Sequence, residues 1–230
     1  MKTVLITGVG RGIGLHLVEQ FLQQGFEVIG TVRDESSKDN VEQLANSLSK
    51  CVEVHLLEVT DRQSIARLKK SLAGRKLDIL INSAGVIGGD KQSISDLDFD
   101  AWEETLQTNT IAPVKITLAM LPNLKLSDNA KIVCLSSIMG SLARVKADSI
   151  AYRSSKAALN KAMQCLAVEL QVHHIGVYLM HPGWVRTDMG GEGADISVEE
   201  SSSALTQQIL GFTMQHSGRF WQYDGEEIPW

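Results

Sequence analysis

Short runs of apolar, β-branched residues alternate along this chain with longer amphipathic stretches. The first kind predicts strands and the second predicts helices. Strands are expected at Thr3 to Thr7, Glu27 to Val32, Val52 to Leu57, Leu77 to Ile81, Lys131 to Leu135, Gly176 to His181 and, from a weaker pattern, Gly218 to Tyr223. Helices are expected at Ile13 to Gln24, Asn40 to Lys50, Arg62 to Ala73, Asp100 to Leu121, Ala151 to Val172 and Val198 to Gly211. Strands that alternate with helices in this way form a mostly parallel sheet with helices on both faces. The expectation is a doubly wound α/β fold of seven strands. Residues 1–230 contain no linker, repeat or low-complexity tract, so a single domain is expected. Asp61 and Asp98 precede helical runs, where a short carboxylate can accept from free backbone N–H groups.

Ligands of such sheets sit beyond the carboxyl ends of the strands, where the strand order reverses. After the first strand comes Thr7-Gly8-Val9-Gly10-Arg11-Gly12-Ile13-Gly14, which leads directly into a helix. Glycines let the backbone approach a pyrophosphate, and the helix N-terminus offers unpaired N–H groups to it. Gly8, Gly12 and Gly14 form G-x-x-x-G-x-G rather than the stricter dinucleotide fingerprint, and the Gly-Lys-Ser/Thr of an ATP-binding loop is missing. A carboxylate that holds a ribose hydroxyl usually ends the second strand, but here Val32 and then Arg33 stand at that point. With Arg11 in the glycine loop, Arg33 points to a 2′-phosphate and so to NADP(H). The other reading makes both arginines solvated surface charges, and Asp34 alongside pulls toward it.

Four further segments follow strands or break a helix: Asn82-Ser83-Ala84-Gly85, Asn109, Ser136-Ser137, and His181-Pro182-Gly183-Trp184-Val185-Arg186-Thr187-Asp188. None of them is decisive alone. Tyr152 and Lys156 stand four apart in a helical stretch without Gly or Pro, so phenol and ammonium share a face. A positive charge beside a tyrosine lowers its pKa and fits it for acid/base work.

Composition narrows the classes. A net charge of −5 without a basic cluster argues against nucleic acid as partner. Cys51, Cys134 and Cys165 are odd in number, widely spaced and set in apolar stretches, and the six histidines show no ligand spacing; neither a disulfide framework nor a metal is expected. His173 and His174, near a helix end, are read as surface or capping residues. No apolar run is long enough for a membrane span, and the first residues do not read as a signal peptide, so the expected location is the cytoplasm.

Taken in order, these segments resemble the short-chain dehydrogenase/reductase family over essentially the whole chain: T-G-x-x-x-G-x-G at Thr7 to Gly14, N-x-A-G at Asn82 to Gly85, the helical Asn109, Ser137, Y-x-x-x-K at Tyr152 and Lys156, and P-G at Pro182-Gly183. The Ala151 to Asn160 stretch, His181-Pro182-Gly183-Trp184-Val185 with Thr187-Asp188-Met189, and the tail Tyr223 to Trp230 are similar to the branch of C-factor (C-signal) proteins and Sniffer-like carbonyl reductases.

The resemblance implies a Rossmann-type fold and an NADPH-dependent reductase of a ketone or aldehyde. Tyr152 would give the proton, Lys156 would tune it and hold the nicotinamide ribose, Ser137 would bind the substrate oxygen, and Asn109 would place the lysine and a water. Cofactor contacts would come from Gly8, Arg11, Gly12, Ile13 and Gly14, from Arg33, and from Glu58 and Val59 near the adenine. Asn82, Ala84, Gly85, Pro182, Gly183, Val185 and Thr187 would complete them, together with Tyr152 and Lys156.

Three departures stand out: Ser83 replaces a usual Asn, Glu58 replaces an Asp, and the gap from Ser137 to Tyr152 is long, which leaves Ser136 as a rival. Ser137 fits better, three residues before Gly140. The Gly-rich segment that opens residues 190–204 is expected to form a short mobile lid over a pocket lined by Trp184 and Met139, which would favour apolar or aromatic carbonyls. By the same resemblance, copies would pair through the helices holding Asn109 and Tyr152 into a dimer or tetramer. A cofactor-binding signalling protein of the C-factor type is the alternative.

Overall fold

Seven parallel strands form one sheet in the order β3-β2-β1-β4-β5-β6-β7, and the computed structural model describes every residue from Met1 to Trp230. The strands are β1 (Thr3–Thr7), β2 (Glu27–Val32), β3 (Glu53–Leu56), β4 (Ile79–Asn82), β5 (Lys131–Leu135), β6 (Gly176–His181) and β7 (Phe220–Gln222). The helices are α1 (Gly12–Gln23), α2 (Glu35–Ser47), α3 (Arg62–Ser71), α4 (Phe99–Leu106), α5 (Ala112–Leu124), α6 (Ile150–Leu170) and α7 (Val198–Gly211).

Side chains alternate across each strand, so one sequence of strands builds two cores. Leu5, Ile29, Leu80, Ile132 and Leu179 face α3, α5 and α6, while Val4, Ile6, Val28, Ile81, Val133 and Met180 face α1, α2 and α7. Because β1 has β2 on one side and β4 on the other, chain direction across the sheet reverses between β1 and β4. Thr7 is paired with Asn82 there, which opens a crevice at the carboxyl ends of both strands. No helix is long and apolar enough to cross a membrane.

The element order matches the hydrophobic pattern, and the departures have local causes. The expected helix from Asp100 to Leu121 is instead α4, a π-helical turn at Gln107–Ile111, and α5. Pro113 has no N–H to give to the carbonyl of Asn109 four residues back, so the ordinary helical ladder is interrupted at that point. Helix α2 starts five residues before the expected Asn40, because Asp34 accepts from Ser37 N–H at 2.8 Å and caps a polar first turn that carries no apolar period. Asp61 and Asp98 cap α3 and α4 as expected, accepting at 3.0 Å from Gln63, Ser64 and Ala101. Cys134 is buried, whereas Cys51 and Cys165 are exposed, contrary to the apolar surroundings expected for all three. Local apolar sequence around Cys51 and Cys165 does not translate into burial, since each lies on an outward-facing position.

Candidate active site

The loop after β1 is shaped by its glycines. Gly8 has φ +72° and lies so close to the next strand's extension that a Cβ would stand 2.8 Å from Ala84 Cα; at Gly14 a Cβ would stand 2.2 Å from the carbonyl oxygen of Gly8. Thr7 Oγ1 accepts from the N–H groups of Ser83 and Ala84 at 3.1 and 3.2 Å, which locks the loop after β4 to the end of β1. The sequence motifs did not assign Thr7 this part. Helix α1 begins with no side-chain cap and no acidic residue in its first turn, whereas α2, α3, α4 and α7 all carry side-chain caps. Its open N–H groups, Ile13 N–H among them, and the positive end of its dipole fit an anion.

Arg33 emerges exposed at the end of β2. Asp34, the rival carboxylate, is engaged as the α2 cap and also accepts from Ser36 Oγ at 2.8 Å. These hydrogen bonds hold its carboxyl below the usual range. Arg11 is paired with Asp188 at 2.7 Å, both side chains largely exposed, and Gly12 faces Thr187. The glycine loop and the segment after β6 therefore meet. Glu58 turns its carboxylate back onto Thr60 N–H and Oγ at 3.1 and 2.9 Å, beside a buried Val59.

Asn109 is fully buried in the π-helical turn. Its Oδ1 accepts from Val86 N–H at 2.9 Å, and its Nδ2 donates to Val86 O at 2.8 Å and Ser155 Oγ at 3.0 Å. A Cβ on Gly85 would stand 3.2 Å from Asn109 Oδ1 and 3.6 Å from Lys156 Nζ, so Gly85 marks where the two side chains converge. Asn82 donates weakly to Thr117 Oγ1 at 3.4 Å, and its buried Oδ1 has no partner.

The two serines after β5 point apart, as consecutive extended residues do. Ser136 donates to Asn160 Oδ1 on α6 at 2.6 Å and is spent there. Ser137 caps the short 3₁₀ turn Ile138–Gly140 and lies beside the Tyr152 phenol. Gly140 packs against the backbone of Lys156, where a Cβ would stand 2.8 Å from the lysine carbonyl carbon.

Tyr152 and Lys156 come together on α6, with Nζ 5.7 Å from the ring centroid. Their electrostatics differ from the expectation. Burial raises the Tyr152 pKa, and the Ser137 hydroxyl acts the other way. Lys156, also buried, is lowered to about 8 and donates to Leu135 O at 2.8 Å. The amine is turned to a strand end rather than to the phenol, so desolvation outweighs charge pairing in this arrangement.

After β6, Gly183 takes φ +88° and a Cβ there would stand 2.5 Å from Ile196 Cδ1. Val185 is buried and bridges to Ile196, and Thr187 Oγ1 accepts from Gly190 N–H at 3.2 Å. Pro182 O accepts from Ser201 Oγ at 2.6 Å, which ties this turn to α7. Residues 190–197 form a loop pinned by Arg186, whose Nη1 donates to Ala194 O and Asp195 O, and residues 198–204 are the first half of α7. Trp184 is 53% exposed with its indole N–H on Gly190 O at 2.8 Å, while Met139 is half-buried.

The arrangement brings a phenol, a serine hydroxyl and a buried amine to the carboxyl end of the sheet, next to an anion-ready helix terminus. The sequence matches the short chain dehydrogenase family over residues 2–195, and the chain belongs to that family. It is 39% identical to C-signal of Myxococcus xanthus over 155 residues, 67% of this chain and 93% of that protein. The structure is similar to NADPH-bound carbonyl reductase from chicken fatty liver, with 32% identity, a TM-score of 0.91 and coverage of 100% of this chain and 99% of the other. Carbonyl reductase Sniffer of D. melanogaster matches with 32% identity, a TM-score of 0.91 and full coverage of both chains. The protein is an oxidoreductase by family and a Rossmann-type α/β fold by structure.

Proposed function

We propose that this protein is an NADPH-dependent carbonyl reductase that converts a ketone or aldehyde to the alcohol. The observation that carries the reading is the convergence of Ser137, Tyr152 and Lys156, backed by Asn109, beside the uncapped N-terminus of α1. The cofactor fits the residues present: Gly8 and Gly14 let the loop after β1 fold tightly against Ala84 and its own backbone, and α1, which follows it, starts on N–H groups without a side-chain cap that suit a pyrophosphate. Arg11 and Arg33 supply cations for a 2′-phosphate, while Asp34 is engaged as a helix cap and does not compete for a ribose hydroxyl. NADPH-bound carbonyl reductase among the structural relatives supports this choice.

When bound, NADPH supplies the hydride that reduces the carbonyl carbon. Ser137 donates a hydrogen bond to the substrate oxygen and stabilises the charge that develops there. Tyr152 gives that oxygen its phenolic proton, so carbonyl, hydride and proton sum to one alcohol. Burial raises the phenol pKa, so Tyr152 rests protonated, and a cation beside the ring is what would make it a ready donor. Lys156 would hold the ribose hydroxyls and, as a cation beside the ring, would stabilise the phenolate, with Asn109 fixing its surroundings.

Exposed apolar residues on α5 and α6, Leu118 and Val168 among them, support pairing of copies through those helices. The exposed free thiols of Cys51 and Cys165 suit a reducing compartment such as the cytoplasm. The likeness to C-signal favours a second reading, a cofactor-binding signalling protein with incidental turnover. The deciding experiment follows NADPH and NADH absorbance against aromatic ketones, α-diketones, quinones and aldehydes for wild type and Tyr152→Phe. Turnover preferring NADPH and lost in the variant supports the reductase; tight NADPH binding without turnover supports the signalling protein.

A further inference from the structure

Gln92 belongs to none of the motifs that mark this chain, yet its side chain makes three hydrogen bonds around the site. Nε2 donates to Ile87 O at 2.9 Å and Gly89 O at 2.8 Å, and Oε1 accepts from Tyr152 N–H at 3.0 Å. Its own carbonyl accepts from Ile150 N–H at 3.3 Å. Both N–H groups lie in the first turn of α6, where a helix leaves donors unpaired. Ser149, which stands in the capping position, has φ +52° and makes no side-chain cap. Gln92, distant in sequence, caps the turn in its place.

The loop is built around that amide. Gly88, between the two accepting carbonyls, has φ +89°, and a Cβ there would stand 3.3 Å from Gln92 Nε2 and 2.8 Å from Thr105 Oγ1. The contacts also close into a ring. Gln92 joins Tyr152 N–H to the 87–89 loop, Val86 at the start of that loop clamps Asn109 through both backbone groups, Asn109 donates to Ser155 Oγ, and Ser155 Oγ donates to Tyr152 O at 2.7 Å.

We propose that Gln92 is a positioning residue for Tyr152: it sets where the first turn of α6, and with it the phenol, stands relative to Asn109 and the 86–92 loop. This rests on the reading of Tyr152 as proton donor. Proton transfer and hydride transfer require the substrate oxygen and carbon to be held to a fraction of an ångström, so a tether on the backbone that carries the phenol acts on kcat rather than on cofactor binding.

The test uses two variants of the whole chain. Gln92→Met keeps side-chain length and loses all three bonds, while Gln92→Glu keeps the acceptor for Tyr152 N–H and loses the two donors. With a carbonyl substrate, Gln92→Met is expected to lower kcat about tenfold while the carbonyl KM and the NADPH Kd, read by cofactor fluorescence, stay within about twofold. Gln92→Glu is expected to recover most of that kcat only at acidic pH, where a protonated carboxyl can donate to a loop carbonyl while accepting from Tyr152 N–H. Hydrogen exchange of a peptide over residues 149–154 should quicken about tenfold in Gln92→Met, with residues 160–170 unchanged. Full kcat in Gln92→Met, a Glu variant no better than the Met one at acidic pH, or exchange rising along the whole helix together with lost NADPH affinity would each overturn the proposal. If wild type reduces no carbonyl, the role of Tyr152 falls separately, and unchanged exchange at 149–154 would then sink the tether as well.

Discussion

Lys156 Nζ lies 5.7 Å from the centroid of the Tyr152 ring but gives its hydrogen bond to Leu135 O, at 2.8 Å. Helical spacing makes the two side chains neighbours, and packing decides that the amine is spent on a strand-end carbonyl. A buried amine with one backbone partner is costly as a cation, which is why its pKa falls to about 8.

Lys156→Met is therefore expected to abolish turnover and stabilise the fold. In the unfolded chain the lysine keeps its proton to about 10.5, while in the folded chain it loses it near 8. Below pH 8 both states are protonated and the burial penalty is complete; between about 8 and 10.5 the unfolded state binds more protons, so wild-type stability rises with pH. At pH 7 the variant should be more stable by roughly 1–3 kcal/mol, the lost bond to Leu135 offsetting part of the gain. Denaturant unfolding at pH 7 and pH 9.5 should show that advantage shrinking at the higher pH.

Arg11 is paired with Asp188 and would have to leave it to meet a 2′-phosphate. Both groups are largely exposed, so the pair is worth under about 1 kcal/mol. Asp188→Asn should tighten NADPH binding about two- to fivefold at low salt, leave NADH nearly unchanged, and lose its effect at high ionic strength. Titration of cofactor fluorescence at two salt concentrations measures this.

Asp34 caps α2, so its removal should cost stability and spare cofactor choice. Asp34→Ala is expected to lower Tm by a few degrees, since a lost cap weakens the first turn. The ratio of kcat/KM for NADPH and NADH should stay as in wild type. A swing toward NADPH alone would assign Asp34 to the ribose instead.

The two adjacent serines should separate cleanly. Ser137→Ala is expected to lower kcat by about 10²-fold with little change in Tm, because it removes a donor to the reacting oxygen. Ser136→Ala leaves the buried Asn160 carbonyl oxygen without its donor and should cost about 1–2 kcal/mol of stability with kcat retained within about threefold. Paired thermal melts and initial rates distinguish them.

Much of the fold was legible because its signals are local. An apolar run between turn residues reads as a buried strand wherever it occurs, and β1, β2, β5 and β6 have the bounds the pattern implies. The start of α2 was not legible, because its first turn is polar and its beginning is set by one carboxylate. The π-helical turn at Gln107–Ile111 was not legible either: an asparagine inside a helical pattern shows only a mild misfit, and its partners, Val86 and Ser155, lie 23 and 46 residues away.

The order and kind of the elements, the glycines after β1 and the identity of the groups at the sheet's carboxyl end follow from the chain alone, since periodicity and backbone freedom are properties of neighbouring residues. Partnership and protonation do not. Ser136 bonds to Asn160, Asp34 caps its own helix, Lys156 donates to Leu135 O, and the Tyr152 N–H is bonded to Gln92. Apart from the Asp34 cap, these contacts join residues 21 to 60 positions apart, and burial there shifts the balance between charge and desolvation, which no local pattern encodes.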